Sequence, residues 1–178
     1  MAVAIRRYET PDLHAVCAIH AAAFRREDDP DATPVEVTLV ERLVARGEAV
    51  PELSLVAIDD DGGPVGHVVC SWATVGARAV VGLGPIGVLP ERQRGGIGSR
   101  LMQDVLVEAD RLGFPLVGLL GSPTFYGRFG FVPAATLGIE PPDPGWGEHF
   151  QVRPLSRYDA RIRGPFRYAG AFDEVGAT

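Results

Sequence analysis

No run of about 18 consecutive apolar residues occurs in this 178-residue sequence, so no helix is expected to cross a membrane. Cysteine is scarce: Cys17 and Cys70 stand alone and far apart, which offers no disulfide framework and suits a reducing, cytoplasmic setting. The opening MAVAIRRYETPD lacks the apolar core of a secretory signal, and no such leader is expected. Basic residues are outnumbered, 17 against 23 acidic, for a net charge of −6. That balance argues against a nucleic-acid partner and is compatible with a cationic substrate. Metal-ligand clustering is also thin. His14, Cys17 and His20 drift around a helix at steps of three instead of converging, and no metal is expected. No internal repeat is present.

What remains is an ordinary globular composition, 46% hydrophobic and 22% charged, with enough length for a single domain over 1–178. Punctuation residues divide it. Ala2 to Arg7 is a candidate strand. Thr10 and Pro11 then fit the cap and first position of a helix carrying Leu13, Val16, Cys17, His20 and Phe24 at helical spacing. A second helix is expected from Thr33-Pro34, with Glu36 completing a capping box and Gly47 ending it. Leu53–Ile58 and Val65–Val75 read as a hairpin around the turn 59–64, and Val80–Leu89 as a further strand.

Gly98–Leu112 shows one apolar face: Leu101, Met102, Val105, Leu106, Ala109 and Leu112. Phe114–Leu120 is a buried strand and Ser122-Pro123 opens a short helix over 123–129. Strands near Phe131–Ala134 and His149–Leu155 flank a Pro/Gly-rich loop, GIEPPDPGWGE, at 138–148. The expected fold is α/β, a mixed sheet of about seven strands with helices on both faces. Its early strands are antiparallel, and one parallel crossover spans 80–120.

The most informative stretch is VLPERQRGGIGSRLM, residues 88–102. A strand enters a glycine-rich turn and an amphipathic helix leaves it. A helix N-terminus carries unpaired N–H groups and partial positive charge. Gly95, Gly96 and Gly98 permit close approach to the backbone, while Arg92 and Arg94 add planar cationic donors. Such a turn suits a phosphate-bearing ligand. It is not a P-loop, because no lysine precedes Ser99, and it is not a dinucleotide fingerprint, because Leu101 stands where a glycine is required.

The string that fits is Gln93-Arg94-Gly95-Gly96-Ile97-Gly98. After a strand and before an amphipathic helix it resembles the acyl-CoA pyrophosphate loop of the GNAT superfamily of N-acyltransferases. The resemblance continues through strand 116–120 to Tyr126 and Gly130-Phe131 in the run FYGRFGF. It implies an acetyl-CoA co-substrate, with Ile86, Gly87 and Val88 lending backbone groups to the pantetheine arm. The turn Gln93, Arg94, Gly95, Gly96, Ile97, Gly98 and Ser99 would hold the pyrophosphate, and Tyr126 would be the general acid. Ser122 stands where many relatives carry Asn or Asp, which puts that cofactor contact in question. The acceptor implied is a small-molecule or peptide amine, and the family often forms homodimers.

Elementary energetics bound this chemistry. A free alkylamine, with pKa about 10.4, is neutral in about one molecule in 10³ at pH 7, a handicap of about 4–5 kcal/mol. Tyr, with pKa about 10, is a weaker acid than a thiol of about 8.5, so protonating the thiolate is uphill by about 2 kcal/mol before the site acts. No Asp, Glu or His lies in strand 80–89. His67, sharing a strand face with Ser71, is a candidate base. The acidic run Glu27, Asp28, Asp29 could attract a cation, and Trp146 could line an acceptor pocket or pin its loop. The missing base keeps a non-catalytic acyl-CoA-binding regulator open as an alternative.

Overall fold

The computed structural model describes residues 3–176, so Ala2 of the expected first strand lies outside the described residues. In chain order the strands are β1 Ala4–Arg7, β2 Leu55–Ile58, β3 Pro64–Val75, β4 Arg78–Val88 and β5 Leu116–Leu120. They continue with β6 Val132–Pro133, β7 Ile139–Glu140, β8 Phe150–Pro154 and β9 Gly164–Arg167. The helices are α1 Leu13–Ala23, α2 Val35–Ala45, α3 Ile97–Arg111, α4 Pro123–Tyr126 and α5 Gly170–Glu174. No helix of the described residues is long and apolar enough to cross a membrane.

The sheet runs β1-β2-β3-β4-β5-β8-β6, with β9 pairing the far end of β3 and β7 pairing β9. The β1 to β4 ladder is antiparallel, β4 and β5 are parallel, and β8 is antiparallel to β5. Period-two alternation along β3 gives each sheet face its own cover. Val68 and Cys70 join the core under α3, while Val69 joins the core under α1 and α2. On α3, Leu101, Met102, Val105 and Ala109 are fully buried; each large apolar side chain so buried contributes about 1.5–3 kcal/mol. Leu112, expected on that face, is 38% exposed because the helix has ended by then.

Several local expectations are corrected. The cap position of α1 is Asp12, two residues later than the expected Thr10, and Glu9 caps the turn that precedes it. Thr10–Asp12 form a 3-10 turn, and Glu9 N–H donates to Asp12 Oδ2 at 2.8 Å. The expected Thr33/Glu36 capping box does not form, since the cap position of α2 is Pro34 with no side-chain capping bond. The short helix 123–129 is α-helical only to Tyr126, then tightens to a 3-10 turn over Gly127–Phe129. The loop 138–148 contains β7 and a 3-10 stretch from Pro144. β7, β9 and α5 follow no periodicity read from the sequence.

The feature that positions the site is the parting of β4 and β5. They pair only at Val81↔Val117 and Gly82↔Gly118, although β4 continues to Val88 and β5 to Leu120. The β3–β4 register shifts between Val68↔Ile86 and Cys70↔Leu83, leaving Gly84 and Pro85 opposite Val69. A bulge of this kind bends a strand out of line, and Pro85 has no N–H to give a neighbour. β5 meanwhile pairs along its whole length with β8. At the last shared pair both residues are glycine, and rings fill the space: a Cβ on Gly118 would lie 2.5 Å from Phe166, and one on Gly82 would lie 2.6 Å from Tyr168.

Candidate active site

The turn between β4 and α3 is built from two left-handed positions, Arg94 at φ 60° and Gly96 at φ 83°. For Arg94 that conformation costs of order 1 kcal/mol, strain of the kind found at ligand sites. Gln93 fastens the turn by donating from Nε2 to the Val88 carbonyl at 3.0 Å. Arg92 is tied to Asp59 by an ion pair at 2.8 Å, which offsets much of its charge. Arg94 is exposed.

This turn opens one side of a cavity of about 680 Å³. Ile86 and Val88 line it from β4; Gln93, Arg94, Gly96, Ile97, Gly98 and Ser99 line it from the turn and the first residues of α3. Across from them stand Ser122, Phe125, Tyr126 and Arg128. Gly87 and Gly95 lie outside this lining. Gly87 faces the opposite side of the sheet, where a Cβ would lie 2.9 Å from His20 Nδ1. Ser122 occupies the cap position of α4 without a side-chain capping bond; its carbonyl accepts from the Phe125 and Tyr126 N–H groups, each at 3.0 Å.

Arg128 is a cation that the sequence reading passed over, although it stands in the FYGRFGF run. Its guanidinium lies 4.2 Å from the Phe125 ring centroid and donates to Ser99 Oγ at 3.2 Å. Stacking on an aromatic face holds an arginine fork in place, here beside the N-terminus of α3.

Tyr126 sits where β4 and β5 have separated. Its ring packs edge-on to Phe125 and Phe131 and covers Gly121, where a Cβ would lie 2.2 Å from the ring. Gly121 is pinned in turn, its carbonyl accepting from buried Gln151 at 3.0 Å. Burial raises the Tyr126 phenol above its ordinary pKa.

A second cavity, of about 250 Å³, lies on the other side of Tyr126. Ile86 and Tyr126 belong to both cavities. Phe24, Leu120, Trp146, Tyr168 and Phe172 line the second from five separate elements. Among the described residues lining it, Glu36 is the one carrying charge. Freed from the capping box expected of it, Glu36 turns to this cavity from the first turn of α2. Trp146 lines this cavity and packs on Phe150 at 5.9 Å between ring centroids.

The candidate base His67 lines neither cavity. It is 1% exposed, on the α1 side of the sheet, with Nδ1 2.8 Å from His20 Nε2. Desolvation, and secondarily His20, push its pKa well down. Asp28 is engaged by Arg26 on the surface and also lies outside both cavities. Among the described residues no cluster of side chains could hold a metal ion.

A helix N-terminus with arginines on one side of a strand gap, and a tyrosine at the gap, define an α/β group-transfer architecture. The model of the acetyltransferase (GNAT) domain matches residues 51–133. The Escherichia coli (strain K12) protein described as uncharacterized N-acetyltransferase YhbS is 36% identical over 138 residues, covering 76% of this chain and 79% of that protein. The crystal structure of E. coli YhbS in complex with CoA superposes with a TM-score of 0.84 at 29% identity, covering 96% of this chain and 92% of the other. A GNAT acetyltransferase from Brucella melitensis in complex with acetyl-CoA gives a TM-score of 0.77, also at 29% identity, covering 97% and 99%. The chain belongs to the GNAT family of N-acetyltransferases.

Proposed function

We propose that the protein moves an acetyl group from acetyl-CoA to a primary amine by direct attack within a ternary complex. The observation that carries this reading is that two cavities of different chemistry meet at Ile86 and Tyr126. The larger is cationic, as a diphosphate requires, with Arg94, Arg128 and the N-terminus of α3 on its wall. The pyrophosphate would rest on Gln93 to Ser99 and the pantetheine arm beside Ile86, Gly87 and Val88, with Ser122 close to the reacting end.

The atoms balance as follows. The ammonium of the acceptor loses one proton to solvent, and its nitrogen then bonds to the thioester carbonyl carbon. The carbon–sulfur bond breaks, and the thiolate takes the Tyr126 phenolic proton. The second proton shed by the nitrogen restores the phenol. The sum is one acetamide, one thiol and one released proton. Burial raises the Tyr126 pKa, but the departing thiolate is desolvated in the same cleft and becomes more basic too. Placement of the phenol therefore matters more than its acidity in water, and positioning alone can supply about 7–11 kcal/mol.

The test is calorimetry with acetyl-CoA on the wild type and on an Arg94→Glu/Gly96→Glu variant, followed by initial velocities with both substrates varied. Micromolar binding that the variant loses, and intersecting velocity lines, are expected. A folded wild type that binds no acetyl-CoA overturns the proposal. Tight binding without turnover for any amine would mark a regulator in place of an enzyme.

A further inference from the structure

We infer that the second cavity takes a small primary amine carried on an apolar, aromatic body, held as its ammonium by the Glu36 carboxylate. This rests on the acetyl-transfer reading and adds the class of acceptor, which that reading leaves open.

Besides Tyr126, four aromatic side chains, Phe24, Trp146, Tyr168 and Phe172, contribute to the wall. Tyr168 and Phe172 stack with centroids 4.2 Å apart and planes 20° from parallel, and Trp146 is braced against Phe150. The wall is thus a set of supported rings. At the rim, Val35 and Leu120 remain 43% and 45% exposed. Apolar surface left open beside a concave, ring-lined space is the signature of a ligand that covers it.

Charge then selects among apolar ligands. Glu36 is half-buried in the first turn of α2, the end of a helix at which an acidic side chain is favourably placed. An ammonium entering the cavity finds that carboxylate, with aromatic faces for cation–π contact around it. A free amino acid would bring its own carboxylate toward Glu36 and be repelled. A polyamine would press a second ammonium against walls that offer it no partner, at the desolvation cost of a bare charge. Size selects as well, since 250 Å³ falls below the roughly 300–1,000 Å³ of pockets for drug-sized ligands. Glu36 is not required as the final proton sink. Its task is to hold the ammonium beside Tyr126 until solvent takes the proton.

The experiment measures CoA release with phenethylamine, spermidine, phenylalanine and a peptide with N-terminal phenylalanine, alongside calorimetry with acetyl-CoA. Phenethylamine is expected to be acetylated with kcat/KM about tenfold or more above the other three. Glu36→Gln is expected to raise its KM about tenfold while KM for acetyl-CoA stays unchanged, and Glu36→Asp to recover part of the loss. A structural role for Glu36 would move both constants together. Preference for spermidine, free phenylalanine or the peptide overturns the inference. So does an unchanged phenethylamine KM in Glu36→Gln, or the absence of any acetylated amine while acetyl-CoA still binds. Failure to bind acetyl-CoA is a separate result, and sinks the transfer reading itself.

Discussion

The ring of Tyr126 lies in the space that a side chain on Gly121 would occupy: a Cβ there would be 2.2 Å from Cε2 and 2.8 Å from Cδ2. The glycine therefore sets where the phenol stands. Gly121→Ala is expected to push the ring off the wall and lower kcat by about 10²-fold, the usual loss for a displacement of about 1 Å. KM for acetyl-CoA should change little, because the phosphate turn is remote in the chain and separately fastened by Gln93. Steady-state kinetics with both substrates varied measure this, and an unchanged kcat would mean that Tyr126 does not act through its position.

Tyr126→Phe keeps the ring and removes the proton. Turnover should fall by about 10²–10⁴-fold without vanishing, the range for loss of a general acid, because the two substrates remain juxtaposed. Since burial raises the phenol's pKa above its ordinary value, the wild-type acid stays protonated through the neutral range. No loss of kcat from phenol ionisation is expected between pH 6 and 9. A kcat profile falling on its alkaline side below pH 9 in the wild type, but not in Tyr126→Phe, would contradict this.

Arg128 reaches the phosphate side from α4's extension, clamped over Phe125. Arg128→Ala should raise the Kd for acetyl-CoA about tenfold, as expected for losing one charge-assisted contact of about 1.4 kcal/mol. The wild-type affinity should weaken with added salt, and the variant's less steeply. Calorimetry at two ionic strengths separates this from a folding defect.

The pair His20–His67 gives the protein an acid sensitivity unrelated to catalysis. Both rings are buried, at 0% and 1% exposure, and His20 Nδ1 has no hydrogen-bond partner among the described residues. Tyr8 and Phe24 pack against the pair, and His67 Nε2 lies 3.4 Å from Ser54 Oγ. Asp12 favours protonation of His67, but burial prevails there, and desolvation lowers His20 to about 4. A folded-state pKa below the unfolded value of about 6.5 means that the unfolded chain binds more protons in acid. Stability is then full above pH 6.5 and declines as pH falls toward 4, by about 2 kcal/mol at pH 5 from His20 alone. For a chain of this size the melting temperature should drop by about 4–8 °C between pH 7 and 5 from this source. In His20→Leu that part of the slope should disappear; a melting profile with the wild-type pH slope would refute it.

The larger cavity was legible in the sequence and the smaller one was not, for a physical reason. A turn that joins a strand to a helix N-terminus through glycines has a fixed local spacing, so Gln93 to Ser99 mark this wall of the cavity within seven consecutive positions. Tyr126 followed because its distance to Gly130-Phe131 is equally local. Arg128 was visible as a letter, yet only its stacking on Phe125 turns it toward Ser99. Glu36 was hidden behind a better-looking local role, since T-P-V-E before an apolar run reads as a capping box, and only the cap at Pro34 releases it. His67 misled in the other direction: alternation placed it on a strand face, but nothing in the sequence says that this face meets His20. The C-terminal aromatics carry no period because β9 and α5 are too short to show one.

The parting of β4 and β5 has a further bearing on how such a molecule diversifies. The donor cavity is written in one continuous portion of the chain, from Ile86 to Arg128. Its neighbour is gathered from the end of α1, from α2, β4 and β5, the Trp146 turn and the residues after β9, and the two share only Ile86 and Tyr126. If the proposed function holds, substitutions at Phe24, Trp146 or Phe172 would change which amine is accepted without touching the residues of the larger cavity.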